Sequence, residues 1–65
     1  MPTVVITKLK EFDYDISVFQ DGKRVRKAWS NNLQQAYGKA DILAGYFTDD
    51  NGQAAATVVN DCSKG

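Results

Sequence analysis

The chain has 65 residues, eight basic and eight acidic side chains, no histidine and a single cysteine. That length fits one small domain that buries about 60% of its unfolded surface, which leaves no room for a deep pocket and little stability to spare. Zero formal net charge removes any global pull toward nucleic acid or membrane, and a lone cysteine excludes an internal disulfide framework.

The charges are unevenly spread. Up to Ser30 there are six basic residues (Lys8, Lys10, Lys23, Arg24, Arg26, Lys27) against four acidic ones, whereas from Asn31 onward two basic residues face four acidic ones. No apolar run approaches the roughly 20 residues needed to span a bilayer. The N-terminus lacks the layout of a signal peptide. The expected setting is therefore the cytoplasm, without a membrane partner.

Thr3 to Lys10 is rich in β-branched residues and reads as the first strand, ending at the polar corner Glu11-Phe12-Asp13. Its parity is chosen by the lysines. With Val5, Thr7 and Leu9 on the core face, Lys8 and Lys10 stay in water, and the opposite choice buries them.

Tyr14 to Trp29 reads as a β-hairpin around Asp21-Gly22, a pair suited to a two-residue type I′ turn in which both central residues need positive φ. An unbroken ladder from that turn sets Gln20 against Lys23, Val18 against Val25, Ile16 against Lys27 and Tyr14 against Trp29. It also sets Phe19 against Arg24 and Ser17 against Arg26 on the outer face.

After Trp29 the period changes. Ser30-Asn31-Asn32 supplies candidate N-caps, with Asn31 and Gln34 at capping-box spacing. Leu33, Ala36, Tyr37, Ala40, Leu43, Ala44 and Phe47 recur every three or four residues, the stripe of an amphipathic helix packed on the sheet. Asp49-Asp50-Asn51-Gly52 ends it, with Asn51 or Gly52 as a left-handed C-cap. Three alanines favour helix over Gln53 to Asn60 while Thr57-Val58-Val59 favours strand. The strand reading makes it parallel to the first or third strand. Residues 62–65 read as a frayed tail. The expected fold is α+β in a single domain over 1–65: a three-stranded antiparallel sheet, or four strands with the last segment, covered on one face by a single helix.

Catalytic constellations are largely missing, because there is no histidine, one tail cysteine and no glycine-rich phosphate cradle. The Asp49 loop fails as a calcium loop: aligned on Gly52, it has Phe47 at the first ligand position and Val58 where a bidentate glutamate belongs. The expectation is a protein without enzymatic activity or cofactor. Two surfaces remain as partner-binding candidates. The outer sheet face combines Lys8, Lys10, Arg24 and Arg26 with Phe19, a mixture that can grip phosphates or an acidic protein patch. The back of the helix combines Gly38, Ile42 and Tyr46, where an interior glycine costs about 0.8–1 kcal/mol relative to alanine and so asks for an offsetting role.

Two resemblances bear on function. The run Tyr14-x-Ile16-x-Val18 before Asp21-Gly22-Lys23-Arg24, followed by a helix with Ala36, Ala40 and Leu43, resembles the arm-type DNA-binding domain of phage integrases, whose three-stranded sheet enters the major groove. Compactness, neutrality and the run Tyr14-x-Ile16-x-Val18-Phe19 with Asp21-Gly22 also resemble small phage-encoded inhibitors of the anti-CRISPR type. That likeness implies a viral protein in the host cytoplasm that occludes a host-protein surface. The leading expectation is a non-enzymatic protein-binding module, with such an inhibitor as its narrower form. The alternative is nucleic-acid binding through the basic sheet face, and a homodimer through the helix strip is a further option.

Overall fold

A computed structural model describes residues 2–61. The strands β1 (Thr3–Lys10), β2 (Asp13–Gln20) and β3 (Lys23–Ser30) are followed by the helix α1 (Leu33–Tyr46) and the strand β4 (Ala56–Asp61). They form one four-stranded sheet in the order β3-β2-β1-β4, antiparallel except where β4 runs parallel to β1. The α+β expectation holds in its four-stranded form. The expected tail at 62–65 lies outside the described residues.

The β2–β3 turn forms as its residues dictate, with φ of 55° at Asp21 and 79° at Gly22, both positive as a type I′ turn requires. The expected register survives for two pairs only, Gln20 with Lys23 and Phe19 with Arg24. Val18 then faces Arg26 instead of Val25, so Val25 is an extra residue in a β-bulge. From there every pairing moves by one. Ala28 lies against Ile16, Ser30 against Tyr14, Lys27 against Ser17 and Trp29 against Asp15. Trp29 and Lys27 therefore leave the face where the unbroken ladder had placed them, and Arg26 enters it.

The cause lies in the helix. Its buried line is Ala36, Ala40 and Ala44, four residues apart, while Leu33 and Tyr37 on the flanks remain 38% and 48% exposed. A seam of alanines brings the helix axis close to the sheet, leaving space beneath it for Ala28 and Ser30 but not for an indole. Val25 keeps a place against the core despite the slip.

The parity of β1 is also the reverse of the expected one. Val4 and Ile6 are fully buried with Ile16 and Val18 under the alanine seam, and Val5 and Thr7 lie on the outer face. Burying a valine and an isoleucine outweighs the lysine argument, because Lys8 sits near the strand's end where its stem can lie along the protein while the ammonium reaches water. A second irregularity between Lys8 and Lys10 returns Lys10 to the side of Asp13.

Asn32 is the N-cap, its side chain accepting from the Gln35 N–H at 2.7 Å, one residue later than the Asn31–Gln34 spacing suggested. The helix ends at Phe47, whose N–H donates to the Leu43 carbonyl at 3.2 Å. Gly52 has the expected positive φ, 79°, yet it serves a separate turn. The Asp49 carboxylate accepts from the N–H groups of Asn51 and Gln53, both at 2.9 Å, and Ala55 N–H donates to the Ala44 carbonyl at 3.2 Å. That loop returns the chain to β1.

Candidate functional site

With one helix on one face, the other face of the sheet is left open. The registers place Val5, Ser17, Phe19, Lys27, Trp29 and Val58 there, together with Thr3, Thr7, Asp15, Arg24, Ala56 and Asn60. Its centre is flat. Ser17 is only 2% exposed although it points away from the helix, because it is a small residue between the larger Val5 and Lys27 of the neighbouring strands. Its hydroxyl donates to Asp15 at 2.7 Å.

Aromatic rings stand at both ends of that floor. Phe19 is 37% and Trp29 55% exposed. In register Trp29 pairs with Asp15, four residues along β2 from Phe19, so the rings are separated by about 13 Å along the strand at the usual rise. Trp29 is held at two points. Its indole N–H donates to the Asp13 carboxylate at 2.7 Å, and its carbonyl accepts from the Lys39 ammonium, which reaches over from the helix. An exposed tryptophan fixed in one orientation loses little freedom when a partner covers it.

Phe12 adds a third ring at the same end of the sheet, in the β1–β2 turn beside Asp13. It is 70% exposed with φ of 62°, a left-handed conformation that is rare for a bulky side chain. Sequence reasoning missed Phe12 and Trp29. The first was read as part of a polar corner, and the second was assigned to the core by the unbroken ladder.

The expected basic face is divided. Arg24 and Phe19 are paired on the outer face, and Lys10 lies beside Asp13 at its end. Lys8 is on the helix side, in register with Tyr14 and Asp61. Arg26 is on the helix side as well, its guanidinium 5.9 Å from the centre of the Phe47 ring, within cation–π range. The outer face thus carries Lys10, Arg24 and the unanticipated Lys27 against Asp13 and Asp15, a nearly balanced set instead of four gathered cations.

On the helix, Ile42 and Tyr46 are 65% and 80% exposed, one turn apart on its outer surface. Gly38 does not border a contact within the chain: a methyl group added there would meet nothing within 4 Å. It lines an open groove between α1 and β4 with Tyr37, Asp41, Thr57 and Val59. A second groove, on the β3 side, is formed by Arg26, Leu43, Tyr46 and Phe47. Neither groove gathers the titratable groups that acid–base chemistry needs.

Among the described residues no three His, Cys, Asp or Glu side chains come together as a metal site, and no helix is long and apolar enough to cross a membrane. No known protein family matches the chain, and comparison with curated proteins and with solved structures finds no similar one.

Proposed function

We propose that the chain is a small, non-enzymatic protein-binding module that docks through the open sheet face, with Trp29 as its principal anchor and Phe19 and Phe12 as further aromatic contacts. The observation that carries this reading is Trp29 itself, half-exposed with its indole N–H held by Asp13 and its backbone carbonyl by Lys39. Tryptophan is the residue type most enriched among binding hot spots, and aromatic rings and an arginine set among small and aliphatic residues match the composition of a protein interface. The narrower reading, an inhibitor of a host protein that works by covering its surface, rests on the likeness to small phage-encoded inhibitors alone.

The test is capture of a stoichiometric protein partner from host lysate by the tagged chain, followed by affinity measurement on the purified pair. Truncation of a hot-spot anchor costs about 2 kcal/mol or more, roughly a 30-fold loss of affinity. Trp29→Ala is expected to show at least that loss, and Ile42→Asp on the helix much less. A partner that tolerates Trp29→Ala but not Ile42→Asp would move the interface to the helix and overturn this assignment.

Nucleic-acid binding is the second reading, favoured by Phe19 and Trp29 sharing one face with Arg24, Lys27 and Lys10. Aromatic rings among cations form a platform on which unpaired bases stack. Asp13 and Asp15 on the same face oppose it, since both repel phosphate.

A further inference from the structure

The two edges of the sheet differ in kind. β3 forms one edge and carries Lys23, Arg24, Arg26 and Lys27 together with the Val25 bulge, and charge and bulging are the usual devices that keep an edge strand from pairing with another chain. β4 forms the other edge. Residues 51–60 contain no charged side chain and no proline. Thr57, Val58 and Val59 are β-branched, and all of β4 is exposed. Between Ala56 and Asn60 nothing in the sequence blunts this edge.

We propose that β4 pairs antiparallel with the β4 of a second copy, joining two four-stranded sheets into one of eight strands about a two-fold axis. The occupant is argued from charge. Pairing centred on Val58 sets Thr57 against Val59 of the copy and Ala56 against Asn60, and Asp61 falls opposite Ala55, so no like charges meet. The β3 edge treated the same way, centred on Val25, brings Arg24 against Arg26 and Lys23 against Lys27. Aligned along its whole length, β3 likewise sets Arg26 against Lys27, so full-length self-pairing is opposed at that edge and unopposed at β4. The assembly therefore closes at two copies instead of growing into a fibre.

The groove beside β4 fits this arrangement. An antiparallel joint keeps both helices on the same face of the continuous sheet. Thr57 and Val59, which line the groove of about 550 Å³ with Tyr37 and Gly38, lie on the helix side of β4 and meet their counterparts there as a shared floor. Tyr37, half-exposed in one copy, flanks that floor from both sides. Trp29 and Val58 lie on opposite edges of the sheet, so the joint leaves the Trp29 anchor uncovered, and this inference and the proposed docking function stand or fall separately.

The test is sedimentation equilibrium from micromolar to millimolar protein, with reductant present to exclude cross-linking through Cys62. The expected result is a monomer–dimer equilibrium ending at twice the 7.2 kDa protomer mass. Val58→Lys and Val58→Glu are each expected to weaken dimerisation at least tenfold, and an equimolar mixture of the two is expected to restore a mixed dimer in native mass spectrometry. Amide exchange on the unmodified chain gives a reading independent of any variant: protection over 56–60 should rise with the dimer fraction. The proposal is overturned by a monomer at all concentrations, by a dimer that survives Val58→Lys or is lost instead on Ile42→Asp, by species larger than a dimer, or by unchanged exchange over 56–60.

Discussion

The Trp29 indole N–H donates to the Asp13 carboxylate at 2.7 Å, linking the start of β2 to the end of β3 across sixteen positions of sequence. The bond is exposed, so water competes for both partners and its net contribution to stability is on the order of 1 kcal/mol or less. Its main consequence is orientation. The bond holds the ring over the open face, where a free indole would sample several rotamers.

Asp13→Ala should therefore release the ring with little loss of fold. Trp29 is the single tryptophan, so fluorescence excited beyond the absorption of the three tyrosines reports on it alone. The expected outcome is lower fluorescence anisotropy with a change of at most about 1 kcal/mol in urea-unfolding free energy. Unchanged anisotropy would mean that local packing holds the ring without Asp13.

The Val25 bulge makes a sharper prediction about length. Removing Val25 leaves the ladder continuous from Arg24 to Arg26, with Ala28 still beneath the helix and Trp29 still outside. Removing Lys27 is absorbed by the same bulge: Val25 then faces Val18 and Arg26 faces Ser17 on the open face, while Ala28 and Trp29 keep their partners. The first deletion should yield a folded chain that loses the partial packing of Val25, about 1–2 kcal/mol. The second should also unfold cooperatively and be the more stable of the two in urea, since Val25 keeps its packing opposite Val18; loss of cooperative unfolding on removing Lys27 would mean that the bulge persists in the shortened strand.

That contrast shows where the sequence was legible. The three strands and helix in order, the positive-φ turn at Asp21-Gly22 and the helix period follow from local chemistry and are present; residues 53–60 read as either helix or strand, and the β-branched run prevails over the alanines as β4 beside β1. The bulge does not follow, because one extra residue leaves no mark in a strand whose alternation reads acceptably in either register. Its cause, the thin Ala36-Ala40-Ala44 seam, is a tertiary fact. The parity of β1 was misjudged for a related reason: Lys8 counts against the observed face only if the helix covers the strand to its end. Both misreadings passed into the site, moving Arg26 and Lys8 off the open face and Trp29 onto it.

Gly38 provides a test within the helix. A methyl group added there meets nothing within 4 Å, so the only expected effect of Gly38→Ala is the gain in helix propensity, about 0.8–1 kcal/mol. Urea denaturation should show a higher midpoint with an unchanged slope. A loss of stability instead would mean that a copy of the chain approaches the helix closely at this residue even in the free protein.

Phe12 stores strain of a different kind. At φ of 62° with 70% of its surface exposed, it gains little from burial, and the left-handed conformation costs an L-residue about 1–2 kcal/mol. Asparagine adopts that conformation more readily, so Phe12→Asn should stabilise the chain by roughly 0.5–1 kcal/mol. If the same variant also weakens partner binding, the strained ring is being kept for contact. If binding is unchanged, the open face works through Trp29 and Phe19 without it.

The last prediction concerns salt, and it separates the two functional readings. Four cations on one face would have allowed a steep dependence, but Lys8 and Arg26 lie on the helix side, leaving Lys10, Arg24 and Lys27. Single-stranded nucleic acid loses about 0.7 log units of affinity per log unit of salt for each phosphate neutralised. Three cations then give a slope no steeper than about −2, and Asp13 and Asp15 reduce it further. A titration of labelled single-stranded and duplex DNA and RNA at about 50 mM salt, where phosphate contacts are strong, should show at most weak binding. Arg24→Ala with Lys27→Ala should abolish it. Asp13→Asn with Asp15→Asn should strengthen it, because the remaining opposition to phosphate is removed. Binding that is tight, steeper than three phosphates allow, and indifferent to these substitutions would place the nucleic-acid contact elsewhere on the chain. It would also reverse the preference for a protein partner.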